Sequence, residues 1–274
     1  MAYFSRIIII VCAFITVSCM DDEIVRLPTD VSVEGQEMFN ASFSIAENLH
    51  YLLRPFEYYI EPPEDPLTLL PGCTNVEISQ EDRKVLLSYH VIKDSVCQKT
   101  NLRRSGKISL EYTNSFINNE EIILVNYQDY SVNNVRLNGI RYLTKKSDST
   151  FKDNMVRMMI YDEHGSSTRM TAEYDHYLQV TSDSTLMINT TGAGGGRNMA
   201  GRTFNFTLNT PRVQSIDCIE QGIFVPTSGE ETWTFERTVS SAVTHRLNFG
   251  DASSGCDRNV SISLSNGETL LLRP

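Results

Sequence analysis

Three stretches of this sequence alternate strictly between apolar and polar residues, and this alternation constrains the fold more than any other feature. They cover residues 107–112, 203–208 and 232–236. Successive side chains of a β-strand point to opposite faces, so a period of two places one face on a core and the other in water. The three stretches therefore predict antiparallel strands with one buried face.

Shorter runs of the same character are also interpreted as strands. Two dipeptides, Asn138-Gly139 and Asn266-Gly267, predict hairpin turns because both residue types accept positive φ. No helical pattern follows residue 55, and nothing indicates βαβ units. We therefore predict an all-β domain over residues 73–274, with an antiparallel meander sheet in the form of a sandwich or a curled half-barrel. The further strand candidates are 75–78, 85–91, 121–127, 135–144, 155–162, 168–174, 177–181, 245–249 and 259–264.

One amphipathic helix is predicted before the sheet. Apolar side chains recur at helical spacing over residues 35–54, and Pro55 ends the pattern. Glu37 and Glu47 lie on the polar face of this helix. From Pro55 onward the segment 34–72 holds five of the nine prolines, which favours an extended connector. We expect the helix to pack on the sheet.

Residues 1–18 have the three parts of an export signal. Arg6 supplies positive charge, residues 7–17 form an apolar core, and Ser18 is a small residue before a cleavage point. The apolar run is shorter than the roughly 20 residues that a membrane-spanning helix needs. We therefore expect cleavage that leaves Cys19 as the first residue.

The sequence Thr16-Val17-Ser18-Cys19 resembles the lipobox of bacterial lipoproteins, with Thr16 at the position where leucine is commonest. The resemblance implies that the Cys19 thiol is acylated. Two or more acyl chains hold a protein stably on a membrane, whereas one does not. The alternative is an ordinary secretory signal with an incidental cysteine.

The four residues after Cys19 are mostly acidic and resemble the surface-export signal of Bacteroidota lipoproteins. The resemblance implies a lipid-anchored protein on the outer face of the outer membrane. The alternative is the periplasmic face, with the acidic residues serving only as part of a solvated tether. We expect residues 19–33 to be that tether. The four residues are Met20, Asp21, Asp22 and Glu23.

The charge balance disfavours nucleic acid as a partner. The 274-residue chain has 24 basic and 34 acidic residues. Loss of Arg6 with the signal leaves 23 basic residues and a net charge of −11. Binding to phosphates requires clustered Lys and Arg, so we predict no nucleic-acid partner.

Four cysteines follow Cys19, and an even number in an exported protein favours disulfides. Three pairings are possible. Proximity in the sequence favours Cys73 with Cys97 and Cys218 with Cys256. A zinc site with four thiolates is the alternative, but the chain has no CxxC pair.

Three groups of segments carry a resemblance to a known family. They are residues 103–108, residues 130–133 with 137–139, and residues 249–251 with 256–257. Together they resemble an uncharacterised family of Bacteroidota lipoproteins, which carries two cysteine-bearing segments on either side of a β-rich middle. The resemblance implies a location and a fold. It implies no activity.

No motif for catalysis or metal binding is present in the sequence. There is no HExxH helix and no GxSxG elbow. His164 beside Glu163 and His176 beside Asp175 would be metal ligands only if hairpin pairing joined them, and we interpret both as exposed turn residues. We therefore predict no catalytic residue, no metal and no cofactor.

Other features point to ligand contacts or modification. The glycine-rich run 192–197 is similar to a phosphate-binding loop, but no helix follows it, and we interpret it as a flexible hairpin loop. Tripeptides that begin at Asp94, Asp148 and Asp183 are similar to an O-glycosylation acceptor motif of Bacteroidota. Trp233 alternates in phase with core residues. The aromatic residues available for a sugar-stacking platform are Trp233, Tyr58, Tyr59, Tyr174 and Tyr177.

These features together predict a lipid-anchored cell-surface β protein that acts as a non-catalytic structural or ligand-binding module, with a glycan or a protein as ligand. A subunit or accessory of a surface fimbria or a glycan-utilisation complex is one alternative. A surface hydrolase is the other, because paired carboxylates in a cleft would suffice for glycoside hydrolysis.

Overall fold

The computed structural model describes residues 30–61, 70, 74–90, 102–181, 186–251, 255–256 and 259–272. Within these residues the chain forms four helices and 13 strands. The helices are α1 (Val31–Ala46), α2 (Leu49–Leu52), α3 (Phe56–Ile60) and α4 (Ile216–Glu220). The strands are β1 (Asn75–Ser79), β2 (Lys84–Tyr89), β3 (Arg104–Asn114), β4 (Glu121–Val132), β5 (Val135–Ser147), β6 (Thr150–Tyr161), β7 (Ser167–Val180), β8 (Leu186–Arg197), β9 (Thr203–Ser215), β10 (Ser228–Thr238), β11 (Ser241–Asn248), β12 (Val260–Ser263) and β13 (Thr269–Leu272).

All 13 strands belong to one sheet, and each strand pairs antiparallel with the next one along the chain. The predicted all-β meander is therefore confirmed. The sheet is not closed into a barrel, because β1 and β13 are its two edges.

The sheet curls around α1. Near the end of the helix, the Glu47 carboxylate accepts a hydrogen bond from Arg104 of β3 at 2.9 Å. Near its beginning, Glu34 lies 3.1 Å from the His245 ring of β11. Strands eight positions apart in the sheet thus reach the same 16-residue helix. This is possible only if the sheet bends around the helix.

Alternating side chains of the long strands fill the inside of the curl. In β7, buried and more exposed residues alternate from Ser167 to His176, and β10 shows the same pattern up to Phe235. Trp233 is only 2% exposed, which confirms its predicted place in the core. Its ring lies against Phe206, with ring centroids 4.6 Å apart.

Helix α1 differs from the prediction in bounds and in surroundings. It begins at Val31, inside the segment expected to be a tether, and it ends at Ala46, with a break before α2. Eleven of its 16 residues are buried. The expected polar face is wrong, because Glu37 is 4% exposed and Glu47 is fully buried. A helix enclosed by a curled sheet has no wide face left for water.

The structure corrects several predicted elements. The two strands expected at 168–174 and 177–181 are one strand, β7. Strand β8 was not predicted, and β13 was implied only by the hairpin turn predicted at Asn266-Gly267. Two five-residue helices follow residue 55, and one of them, α3, lies in the segment expected to be an extended connector.

The Asn138-Gly139 dipeptide is not a turn. The β4–β5 turn is formed by Asn133 and Asn134, which have φ values of 47° and 69°. Asn138 and Gly139 lie inside β5, beside an irregularity of the strand pairing. The Asn138 side chain accepts a hydrogen bond from the Asp129 backbone N–H at 2.8 Å. The Asn266-Gly267 turn joins β12 to β13 as predicted, with Gly267 at φ 90°.

The glycine-rich run 192–197 is part of β8, so its interpretation as a hairpin loop is wrong. A Cβ on Gly194 would lie 2.6 Å from the Phe206 ring and 2.6 Å from the Thr171 carbonyl oxygen. The missing side chain lets the aromatic core pack directly against the backbone. Glycine therefore serves packing at this position.

One of the two predicted disulfides is present. Cys218 of α4 is bonded to Cys256, with Cα atoms 5.3 Å apart. This bond excludes the four-thiolate zinc site. Cys73 and Cys97 lie outside the described residues.

The Cys218–Cys256 bond joins residues 38 positions apart. The chain-entropy model predicts that its removal lowers the free energy of unfolding by about 4 kcal/mol. The double variant Cys218→Ser/Cys256→Ser, compared with the oxidised protein in urea unfolding, tests this value. A difference below about 1 kcal/mol would show that the bond hardly restricts the unfolded chain.

Candidate functional site

The inside of the curl contains an unusual number of charged side chains. Five carboxylates in the described part of the chain are 4% exposed or less. Four of them lie within 4.0 Å of an arginine. Burial of an isolated charge is costly, so such groups occur in paired and hydrogen-bonded arrangements. The five carboxylates are Glu34, Glu37, Glu47, Asp153 and Glu231.

The first pair connects the end of α1 to β3. Arg104 donates to Glu47 Oε2 from Nε at 3.2 Å and from Nη2 at 2.9 Å. Tyr130 of β4 donates its hydroxyl hydrogen to Glu47 Oε1. The Arg104 guanidinium also lies over the Phe224 ring, 4.5 Å from its centroid. Both oxygens of this buried carboxylate are thus satisfied.

A second group lies between strands β5, β6, β7 and β8. The Arg141 guanidinium is 2.7 Å from Asp153 Oδ2, and it also donates to the Ile45 carbonyl of α1 at 3.2 Å. His176 Nε2 is 3.1 Å from the same Asp153 oxygen, and Nδ1 is 3.0 Å from the Thr190 hydroxyl. A carboxylate only accepts, so Nε2 carries the hydrogen and Nδ1 accepts from Thr190.

A third group lies between the middle of α1 and strands β9 and β10. Arg212 Nη1 is 3.0 Å from Glu231 Oε1 and 2.9 Å from the Ser42 hydroxyl. Ser42 in turn donates to Glu231 Oε1 at 2.6 Å. The indole N–H of Trp233 donates to Glu231 Oε2 at 3.0 Å. The helix hydroxyl therefore completes an ion pair that belongs to the sheet.

The fourth group is at the beginning of α1. Arg237 donates to both oxygens of Glu34 at 2.5 Å, and His245 Nε2 lies 3.1 Å from Oε2. Burial opposes ionisation of Glu34. The hydrogen bonds from Arg237 and His245, together with the charge of Arg237, outweigh that cost and hold the pKa of the Glu34 carboxyl below its usual value.

At Asp153 and His176, too, the effect of burial on the pKa competes with that of neighbouring hydrogen bonds and charges. Burial opposes the charged form of Asp153, but Arg141 and His176 hold its pKa below the usual value. Burial also lowers the pKa of His176. At neutral pH, His176 is therefore a neutral hydrogen-bonding group beside an ionised Asp153–Arg141 pair.

Glu37 is the exception among the five carboxylates. Its Oε1 accepts hydrogen bonds from the Thr168 hydroxyl and from the Met199 backbone N–H at 2.9 Å. No cation lies within 4.0 Å of it in the described part of the chain. Burial, together with the nearby charges of Glu34 and Asp162, raises the pKa of the Glu37 carboxyl.

Two of the cavities among the described residues lie near the ends of α1. The first, the apolar pocket, has a volume of about 180 Å³ and lies where α1 has ended. Eight of its 13 lining residues are aliphatic, aromatic or proline. The buried His50 is among the polar ones, and Lys145 and Asp148, 2.9 Å apart, belong to its rim. An engineered apolar cavity of about 150 Å³ holds a molecule such as benzene, so this pocket accommodates a small apolar group.

The second cavity, the polar groove, has a volume of about 360 Å³ and lies beside the beginning of α1. Eight of its 11 lining residues are polar, and none is Lys or Arg. The polar residues come from α1, from the β4–β5 turn and from the β6–β7 turn. They are Gln36, Glu37, Asn40, Asn133, Asn134, Asp162, Glu163 and His164.

The structure separates the predicted histidines. His164 is exposed in the β6–β7 turn, as expected. His176 is fully buried in β7, so its interpretation as a turn residue is wrong. Within the described residues, no group of three or more His, Cys, Asp or Glu side chains is placed to hold a metal ion.

Three of the five aromatic residues considered for a sugar-stacking platform are buried. Trp233, Tyr59 and Tyr174 are buried, whereas Tyr177 is 45% exposed on β7 and Tyr58 is half-buried on α3. Asp148 lies in the exposed β5–β6 turn. The tripeptides that begin at Asp94 and Asp183 contain residues outside the described part of the chain, as do Cys19 and Met20, Asp21, Asp22 and Glu23.

Sequence reasoning missed the buried ion pairs, although a signal for them exists. Arg141 is in phase with Leu143, Asp153 with Phe151 and Met155, and Glu231 with Trp233. A charged residue in the apolar phase of a strand indicates a buried charge. Several such residues of opposite sign on neighbouring strands indicate buried pairs.

Comparison of the chain with protein-family models, with curated proteins and with solved structures finds no match. None of the described helices is both long enough and apolar enough to cross a bilayer.

The two kinds of buried carboxylate should respond to neutralisation in opposite ways. Asp153→Asn leaves Arg141 buried without its counter-charge and should cost about 3–5 kcal/mol at pH 7. Because the folded-state pKa of Asp153 is lowered, its stabilisation is present above the usual value of 3.8 and is lost as the pH falls through the folded-state pKa.

Glu37→Gln keeps an oxygen for Thr168 and Met199 but removes an unpaired buried charge. The raised folded-state pKa of Glu37 means that wild-type stability declines as the pH rises from 4.5 through that pKa. The variant should therefore be as stable as wild type below pH 4.5, and as stable or more stable at pH 7. Urea unfolding of both variants from pH 4 to pH 8 tests the pair. If Asp153→Asn and Glu37→Gln lost the same free energy of unfolding at pH 7, the distinction between paired and unpaired buried carboxylates would be contradicted.

Proposed function

We propose that this protein is a lipid-anchored cell-surface β protein that serves as a non-catalytic structural or ligand-binding module. The observation that carries the proposal is the filled interior. The space that a curled sheet would offer to a substrate is occupied by α1, and four of the five buried carboxylates are engaged with arginines. Ligand binding is left to the apolar pocket, the polar groove and the outer surface.

The pairing of these groups favours a structural role over acid–base chemistry. A general acid or base must reach its substrate and change protonation state near the working pH. Asp153 is held ionised by Arg141 and is fully buried, and its neighbour His176 is fully buried as well. Both side chains are engaged with neighbouring strands, so we assign to them the task of fixing the helix and the strands.

The export and anchoring part of the proposal is supported by residues 1–23. An apolar run ends at a small residue before Cys19, and Met20, Asp21, Asp22 and Glu23 follow it. The proposed sequence of events is export, cleavage before Cys19, acylation of its thiol and display on the outer membrane.

Expression in a Bacteroidota host tests the anchor. Mass spectrometry of the N-terminal peptide should show an acylated Cys19, and protease added to intact cells should digest the protein. The Cys19→Ala variant should lose the acyl mass and leave the membrane fraction. Replacement of Asp21, Asp22 and Glu23 by alanine should keep the acyl group but protect the protein from protease. An unmodified peptide that spans Thr16 to Glu23 would contradict the proposal.

The apolar pocket offers a test of ligand binding. Small neutral aromatic and aliphatic molecules are suitable probes, because the pocket has apolar walls and its two basic residues, Arg54 and Lys145, are matched by the acidic Glu121 and Asp148. Leu178→Trp should fill it and weaken binding at least about tenfold, which corresponds to about 1.4 kcal/mol. Val156→Trp, on the outer face of β6, is the matched control. Ligand-detected NMR gives the readout. Equal binding by both variants would exclude the pocket.

A further inference from the structure

The unusual feature of the polar groove is a buried carboxylate that lacks a cation. Of the five buried carboxylates in the described part of the chain, only Glu37 has no Lys, Arg or His nitrogen within 4.0 Å. Its two hydrogen bonds within the protein come from the Thr168 hydroxyl and the Met199 backbone N–H, and both are accepted by Oε1. The other oxygen, Oε2, accepts no hydrogen bond from the described residues, although Glu37 as a whole is 96% buried.

The position of Glu37 connects this oxygen to the groove. Glu37 is one of the residues that line the groove, between Gln36 and Asn40 of α1 and the β6–β7 turn. Its side chain is held from two sides, by β7 through Thr168 and by the β8–β9 connection through Met199. A carboxylate fixed in this way is preorganised, so a ligand would lose little free energy in ordering it.

The other residues that line the groove also favour a positively charged ligand. Asp162 and Glu163 add two carboxylates, and no Lys or Arg lines the groove. Asp162 Oδ1 is used within the turn, where it accepts the backbone N–H groups of His164 at 2.9 Å and Ser166 at 2.8 Å. Asn134 also lines the groove, and its side-chain amide adds a carbonyl oxygen. The groove is thus rich in acceptors and negative in charge.

We propose that the polar groove binds a small organic amine, with the ammonium group on Glu37 Oε2 and within the field of Asp162 and Glu163. An ammonium group brings three N–H donors and one positive charge, which match a cluster of acceptors. No group of three or more His, Cys, Asp or Glu side chains in the described residues is placed to hold a metal ion, whereas an ammonium group can bind to a single carboxylate. Each of the four other buried carboxylates binds a cationic group in the same way, but the cation is an arginine of the chain itself.

The raised pKa of Glu37 agrees with this geometry. Burial and the charges of Glu34 and Asp162 all oppose its ionisation. A bound ammonium would offset this effect, because an opposite charge within about 4–6 Å favours the ionised carboxylate.

Four probes test the proposal on the purified full chain at pH 7. Glucosamine and cadaverine carry primary ammonium groups. N-acetylglucosamine and 1,5-pentanediol are their matched neutral counterparts. Protein-detected NMR or calorimetry should show that at least one amine binds and that its neutral counterpart binds at least about tenfold more weakly, as expected for loss of a charge-assisted hydrogen bond.

Two variants locate the site. Glu37→Gln should lower the affinity for the amine at least about tenfold, while a urea-unfolding midpoint no lower than that of wild type shows that the fold is kept. Glu173→Gln removes an equal charge from an exposed position on β7, paired with Lys152 at 3.2 Å, and should bind as wild type does.

Three results would overturn the proposal. They are no binding of either amine at millimolar concentration, equal binding of the amine and its neutral counterpart, and full affinity in Glu37→Gln. If Glu37→Gln fails to fold, the proposal is tested by whether the wild-type protein binds the amine more tightly than its neutral counterpart. None of these outcomes depends on the lipid anchor.

Discussion

The architecture depends on the ion pairs between α1 and the inside of the curled sheet. Arg237 binds Glu34 of the helix, Arg104 binds Glu47 directly after it, and Arg212 donates to the Ser42 hydroxyl. Such pairs seldom add much net stability, because desolvation offsets their attraction, but removal of one partner is costly. Their effect here is to favour one position of the helix over others. A shift of the helix by one turn would break these pairs.

The fold class could be predicted from the sequence because it depends on local periodicity. Alternation identified most strands, including β3, β9 and β10, and the long β-rich stretch implied a meander. Turn chemistry was less decisive. Asn133-Asn134 and Asn138-Gly139 both accept positive φ, and only tertiary pairing decides which of them becomes the turn. Strand β8 was missed because glycine gives no strand signal, although packing against Phe206 requires it there.

The candidate site was harder to predict, because its members come from distant parts of the chain. Glu47 and Arg104 are 57 positions apart, and Glu34 and Arg237 are 203 apart. A carboxylate on a helix predicts a solvent-facing stripe unless the helix is known to be enclosed by the sheet.

The enclosure of the helix also underlies the function we propose. Under that proposal, a ligand would bind at the ends of the helix or on the outer surface, because the helix itself occupies the interior. The polar groove and the apolar pocket are at those ends.

Native-state hydrogen exchange of α1 tests the central claim most directly. If the ion pairs fix the helix inside the sheet, the amides of its buried positions should exchange only by global unfolding, with the same free energy as the central strands β5 to β9. The protection should be shared because the helix cannot leave without breaking pairs on β3, β5 and β9 to β11. Exchange of α1 through a local opening, at a free energy several kcal/mol below that of the strands, would contradict the account.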